Sequence, residues 1–464
     1  MKHMEKINGK KGSGRLDAEN PVSGYFRLSL PVVLGSIVTI VYNLADTYFI
    51  ARTGDELLVA GVSVCAPVFM ILMAFGNIFG QGGSSLLSRL LGAKRLAEAA
   101  RVSAFCFWAA LISGAAVGGL LLVFRDPFLL LLGSSGNTLP YAREYGTVLL
   151  LGAPLIVVSF IHMNLLRCEG MPQLSMAGTI IGAVVNVILD PLLIPGMGAA
   201  GAAAATVIGY ACTDLFLLAV VLRRSAVLSI RPALKIEAGF LKDILFIGVT
   251  AAITNIASSL CTILMNQKLL PFGDGRIAAM GIVLKVTMIV QMILVGFSFG
   301  GVPLFGYLSG AGEQDRIRKL LRFCLCFLSA LALGMTCVLI AAAGPVIRAI
   351  TPDPVLAEAA VPMLRWQVSG SVFAAVVMLM TCLCQASGKA LPALILSLSR
   401  QGVVYAAVLL AASALWPYDG ILASQCISDV LSAALALLLA RRFVFRNPAG
   451  SGGGRKNRAA TSGL

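Results

Sequence analysis

The residues of this chain most able to do chemistry are two aspartates inside runs of membrane length. Asp46 falls in LPVVLGSIVTIVYNLADTYFIA, residues 30–51, and Asp190 falls in the run 174–195. A charge at the centre of a bilayer costs roughly 2.5–3.5 kcal/mol on insertion scales, so an acid kept there marks a candidate site. Asn43 precedes Asp46 by three positions and Asn186 precedes Asp190 by four, so each amide shares a helix face with its acid. The two runs cross in the same direction, and each Asp stands about 24 Å from the start of its run at helical rise. Thr206, just inside the following run, falls at a similar level. Two carboxylates sharing a site shut off from water tend to keep one proton near neutral pH, as a proton carrier must. The plainer reading makes each Asp the cap of a broken helix, since Pro191 and Pro195 loosen the second run. A matched pair with amide neighbours favours the carrier.

Other polar residues inside apolar runs are candidates for a cavity wall. Lys285 and Gln291 lie in the eighth run and Asn255 in the seventh. For Lys285 a cavity position and a snorkelling or packed position are equally open. Asp214 and Asp429 occupy corresponding late positions in the sixth and twelfth runs, and a structural role is favoured for them and for Arg400. His162, near Arg167, is placed at the membrane interface. Enzyme signals are lacking: the sequence has no paired His cluster, no GxSxG, no phosphate loop and no Cys/His ligand spacing. No enzyme activity, metal or cofactor is expected. With no nucleotide-binding domain either, pumping would draw on an ion gradient.

These residues need an apolar scaffold, and the composition supplies one. Of 464 residues 58% are apolar and only 12% charged, against about 25% charged in a soluble domain. The chain therefore reads as an all-α integral membrane protein. Runs of about 20 apolar residues, enough to span the ~30 Å core, centre in 28–51, 57–81, 102–124, 146–166, 174–195, 200–222, 243–267, 277–303, 323–343, 362–385, 391–415 and 419–440. The 48 glycines suit close helix packing in lipid. The 11 cysteines fall mostly inside these runs and read as small packing residues. Residues 1–20 are basic without an apolar core, so they form a tail rather than a cleavable signal.

Charge placement sets the orientation. With the amino terminus in the cytoplasm, most of the 36 Lys and Arg fall inside. The outside keeps Arg52, Arg125, Arg143, Lys268, Arg276, Arg348 and Arg365. Both termini are thus expected in the cytoplasm, and the net charge of +15 faces anionic lipid rather than nucleic acid.

The two halves repeat. Gly54-Asp55-Glu56 is followed by Gly61, Gly76 and Gly80, and Gly273-Asp274-Gly275 by Gly281, Gly296 and Gly300. An even number of spans per half inserts both copies in the same sense, which predicts two six-helix bundles related by a pseudo-twofold along the membrane normal, with a cavity between them. The expected division is a cytoplasmic tail at 1–24, an amino lobe at 25–224, a linker at 225–242, a carboxyl lobe at 243–442 and a basic tail at 443–464.

Four stretches together resemble the multidrug and toxic compound extrusion (MATE) family of secondary transporters. They are LPVVLGSIVTIVYNLADTYFIARTG, FGNIFGQGGSSLLSRLLGAKR, NVILDPLLIPGMGAAGAAAATVIGY and VGFSFGGVPLFGYLSGAGEQDRIRK. The resemblance covers about residues 25–445. It implies twelve helices in two lobes, alternating access, and export of amphipathic, often cationic compounds against protons or sodium. Carried over by motif, the proton site of the family is Asp46, Asn186, Asp190 and Thr206, with Pro31 as the bend in the first helix and Asn164 as an amide of the fourth. Members with acids in the carboxyl lobe have a Glu in the seventh span and an Asp in the tenth. Here the seventh offers Asn255 and 362–385 holds no acid. That departure leaves the amino lobe as the coupling site.

The expected protein is an antiporter of the cytoplasmic membrane. It would export organic, cationic or amphipathic compounds in exchange for protons, or for sodium. Its partners would be those compounds and membrane lipid, and nothing demands more than a monomer. The alternative is a lipid or polysaccharide-precursor flippase of the same architecture. Such a cavity needs several basic residues, and Lys285 and Arg400 are the ones the sequence offers.

Overall fold

The computed structural model describes residues 20–232, 236–351 and 353–443. The expected basic tails at 1–24 and 443–464 lie, apart from their innermost residues, outside these. The described chain is helical throughout and forms a multi-pass membrane protein.

In the first half, α1 is Pro21–Ala51, α2 Glu56–Val64, α3 Ala66–Gly92, α4 Leu96–Val123, α5 Arg125–Leu131, α6 Leu139–Leu151, α7 Ala153–Cys168 and α8 Pro172–Arg224. The second half follows with α9 Ala238–Leu269, α10 Asp274–Gly300, α11 Val302–Gly310, α12 Gln314–Ala341, α13 Ala343–Ile350, α14 Pro354–Ser369, α15 Ser371–Ala386, α16 Ala390–Gln401, α17 Val403–Leu415 and α18 Asp419–Phe443. Corresponding elements match in shape. The α4 and α12 helices are 28 residues each. The pairs α6/α7 and α14/α15 bend by 52° and 42°.

Helix α8 carries 53 residues, about 80 Å at helical rise, far beyond a ~30 Å core. It folds back at Gly198, whose φ of 55° and ψ of −130° are closed to side-chain-bearing residues. The antiparallel pairing on either side is direct. Thr213 donates to the Gly178 carbonyl at 3.0 Å, and a Cβ on Gly182 would lie 2.9 Å from the Gly209 carbonyl oxygen. With α8 counted as two crossings, the expected twelve are present.

One end of the molecule, here termed proximal, carries the described chain ends. The two lobes meet there. Gly82 packs on the Ile244 backbone, Gly248 on Ile78, Gly92 on Tyr307 and Gly310 on Arg89, and none leaves room for a Cβ. Glycine is what lets these backbones approach so closely. Tyr25 donates to the Phe297 carbonyl at 2.9 Å, Ser85 to the Gln385 carbonyl, and Arg89 pairs with Asp243 at 3.0 Å.

Helix α1 belongs to both lobes. Tyr25, Leu28 and Val33 sit in the core of the second half, whereas Ile50 joins a cluster with Leu58 and Ile194 of the first. Pro31, buried inside this helix, lies near the change of allegiance. Ser29 meets Gly300 and Val33 meets Gly296. Continued distally, that antiparallel register sets Leu44 opposite Lys285. Both are exposed, as are Val41, Met288 and Ile289. Gly281, farther distal on α10, has nothing within 4 Å of a Cβ position, so the tight contact made at Gly296 and Gly300 is not repeated there.

Candidate functional site

The hairpin of α8 brings three of the expected polar residues together. Asn186 Nδ2 lies 3.5 Å from Asp190 Oδ1 and 3.4 Å from Thr206 Oγ1, and Thr206 donates to the Ala202 carbonyl at 3.1 Å. Asp190 has no exposed surface, Asn186 is 2% exposed and Thr206 8%. Asp46 of α1 is close enough to act electrostatically on Asp190. Tyr42 and Tyr145 stand within electrostatic reach of both acids. Three oxygens here are buried without a partner: Asp46 Oδ1, Asp190 Oδ2 and Asn186 Oδ1. Each is an acceptor. A proton placed on a carboxyl would convert one of them into a donor, which is how a site short of donors gains from protonation. Asn43 stands apart, exposed, with its carbonyl taken by Thr47 at 2.8 Å.

Between the lobes lies a cavity of about 510 Å³. Its apolar walls include Phe160, Met163, Phe299 and Met378, and its polar groups include Asn77, Gln81, Asn164, Asn255, Gln291 and Gln385. Asn164 reaches it while donating to the Phe160 carbonyl at 2.7 Å. Asp46, Asn186, Asp190 and Thr206 do not line it, nor does Lys285. A smaller pocket of about 130 Å³ adjoins it in the carboxyl lobe and shares Gln291, Arg400 and Gln401. There Arg400 Nε donates to Asp429 Oδ1 at 3.1 Å and Nη2 to Gln291 Oε1 at 2.8 Å. The counterpart Asp214 accepts from Ser159 at 2.6 Å.

The two halves of this chain match one family description separately. MatE covers residues 31–192 and again 250–409. The chain belongs to the MatE family. A relative named multidrug export protein MepA, from Staphylococcus aureus (strain MRSA252), is 30% identical over 89% of this chain and 91% of its own length. The protein of the same name from Staphylococcus haemolyticus is 29% identical over 89% and 91%. In fold, this MatE chain is similar to a solved outward-facing multidrug resistance MATE transporter, with a TM-score of 0.87, 24% identity, and 94% of this chain and 98% of that one covered. A MATE structure in a bent conformation gives a TM-score of 0.88 at 24% identity and the same coverage. The MatE assignment carries multidrug transport as the general activity.

Several lining residues of this MatE chain escaped the sequence reading. Asn77 and Gln81 are an i,i+4 amide pair, with Gln81 Nε2 donating to Asn77 Oδ1 at 3.4 Å. Their spacing inside an apolar run was the available signal, masked by the glycines around them. Arg167 lines the cavity although its sequence position suggested the cytoplasmic side. His162, expected at the interface, is 2% exposed and packs on Phe107 at 5.3 Å.

Proposed function

We propose that this MatE protein is a secondary antiporter that exports amphipathic organic compounds in exchange for protons, by alternating access. The observation that carries this reading is the separation of two sites: a buried, donor-poor acid site in the amino lobe, and a drug-sized cavity between the lobes. Helix α1 joins them, bearing Asp46 on one side of Pro31 and packing into the second lobe on the other.

The cycle runs as follows. The proximal end is cytoplasmic, as the distribution of Lys and Arg requires, and the distal end faces outward. With Asp46 and Asp190 charged, the lobes hold substrate in the cavity. A proton entering distally settles on the pair, supplies the missing donor, and lets Asp190, Asn186 and Asp46 draw together. The distal half of α1 then shifts toward the α8 hairpin and reshapes the cavity wall at Val32 and Ser36, releasing substrate. The proton leaves when the lobes open to the cytoplasm. Among the described residues, the buried carboxyl-lobe acid Asp429 is held by Arg400.

Proteoliposomes with an internal pH dye test this. Amphipathic zwitterionic dyes added outside should drive proton movement in wild type, and Asp46→Asn should abolish it while dye binding persists. Unimpaired proton-driven transport in that variant sinks the proposal, and movement that follows sodium alone moves the coupling to that ion.

A further inference from the structure

The central cavity carries a charge that the coupling site leaves unexplained. Arg167 of α7 and Arg400 of α16 both line it, and no Asp or Glu does among the described residues. The two arginines differ. Arg400 is compensated from behind the wall by Asp429, which is 2% exposed and does not reach the lining. Arg167 has no ion pair among the described residues, and its Nε is shut off from water with no hydrogen-bond partner. Glu169, two residues on, gives Oε1 to the amides of Ala226 and Val227 at 2.7 and 2.8 Å. A guanidinium does not deprotonate. One uncompensated positive charge therefore faces a cavity whose size fits the roughly 300–1,000 Å³ range of small-molecule sites.

The geometry points to a substrate with a single carboxylate on an apolar body, anchored by Arg167. This rests on the export reading above and narrows its substrate class. The planar fork of Arg167 suits a carboxylate, while Phe160, Met163, Phe299 and Met378 accept the apolar body. One anionic charge matches one uncompensated cation, so a zwitterion or monoanion fits better than a phosphomonoester. A compound whose only charge is positive meets repulsion from Arg167 and no carboxylate in the wall.

The test uses the full chain in detergent and two fluorescent probes with one body. Rhodamine B has a free carboxylate, and its ethyl ester is a plain cation. Fluorescence anisotropy should show rhodamine B bound at least about tenfold more tightly, the effect of one good charge-assisted contact. R167Q should erase that preference by weakening rhodamine B alone, and R167K should keep part of it. An ester bound by wild type as tightly as the acid overturns the inference without any variant, as does R167Q weakening both probes equally. In liposomes of the same protein, scrambling of NBD-labelled phosphatidylglycerol that R167Q abolishes, with rhodamine B binding unchanged in that variant, assigns Arg167 to a lipid headgroup and also overturns it. A clear acid preference in binding, with no gradient-driven dye uptake, would instead remove the export reading and leave the carboxylate site standing.

Discussion

Asp190 is wholly buried, yet its Oδ2 has no partner and its bond from Asn186 is stretched to 3.5 Å. An acid that held the fold would be better satisfied, since a buried unpaired acceptor costs about 1–3 kcal/mol. Asp190→Asn supplies a permanent donor pair at the same volume. It is expected to abolish coupled proton uptake without lowering thermal stability. A fall in Tm of more than about 5 °C would mean instead that the charge serves the fold. Asn186→Leu removes the bridge to Thr206 and should weaken coupling strongly, whereas Thr206→Val, which leaves Asn186 and Asp190 in place, should do so less. Both are read from the same dye flux. The common depth of Asp46, Asp190 and Thr206 was legible because helical rise alone fixes it. The exposure of Asn43 was not, because an i,i+3 offset turns a side chain part-way round the helix and only the neighbours decide whether that direction is covered.

Among the elements, α8 and α1 hold the site. The turn at Gly198 registers Asn186 against Thr206, and its backbone conformation is one that an added Cβ resists at about 1–3 kcal/mol. Gly198→Ala should therefore lower Tm measurably and loosen coupling, while binding in the distant cavity persists. Unchanged Tm and coupling would show that the hairpin tolerates another turn. Of α1, the sequence marks the two ingredients, Pro31 and Asp46. It does not show that the helix changes lobes between them, since an apolar run reads the same against either partner.

At the scale of the whole molecule, the proximal closure is made chiefly by backbone contact and only secondarily by charge. The Arg89–Asp243 pair is partly exposed on both sides, so it contributes on the order of 1 kcal/mol or less. Arg89→Ala should change transport only a few-fold. Gly248→Val forces a side chain into the Ile78 backbone and should prevent closure. Hydrogen exchange should then rise across residues 244–250 and 78–82, with transport lost. If exchange there stays slow, the seal rests elsewhere.

The sequence alone determined the membrane class, the number and depth of the spans, their repeat and the shared depth of Asp46 and Asp190. Those follow from composition, from a fixed rise per residue and from local helical spacing. Only the tertiary structure decided what surrounds the central cavity. Arg400 and Asp429 lie on different helices and meet at 3.1 Å, and Arg167, in the last turn of α7, lines the cavity. Which faces of helices meet depends on rotation and on packing between lobes. In a chain so uniformly apolar, every face looks alike until its neighbour is present.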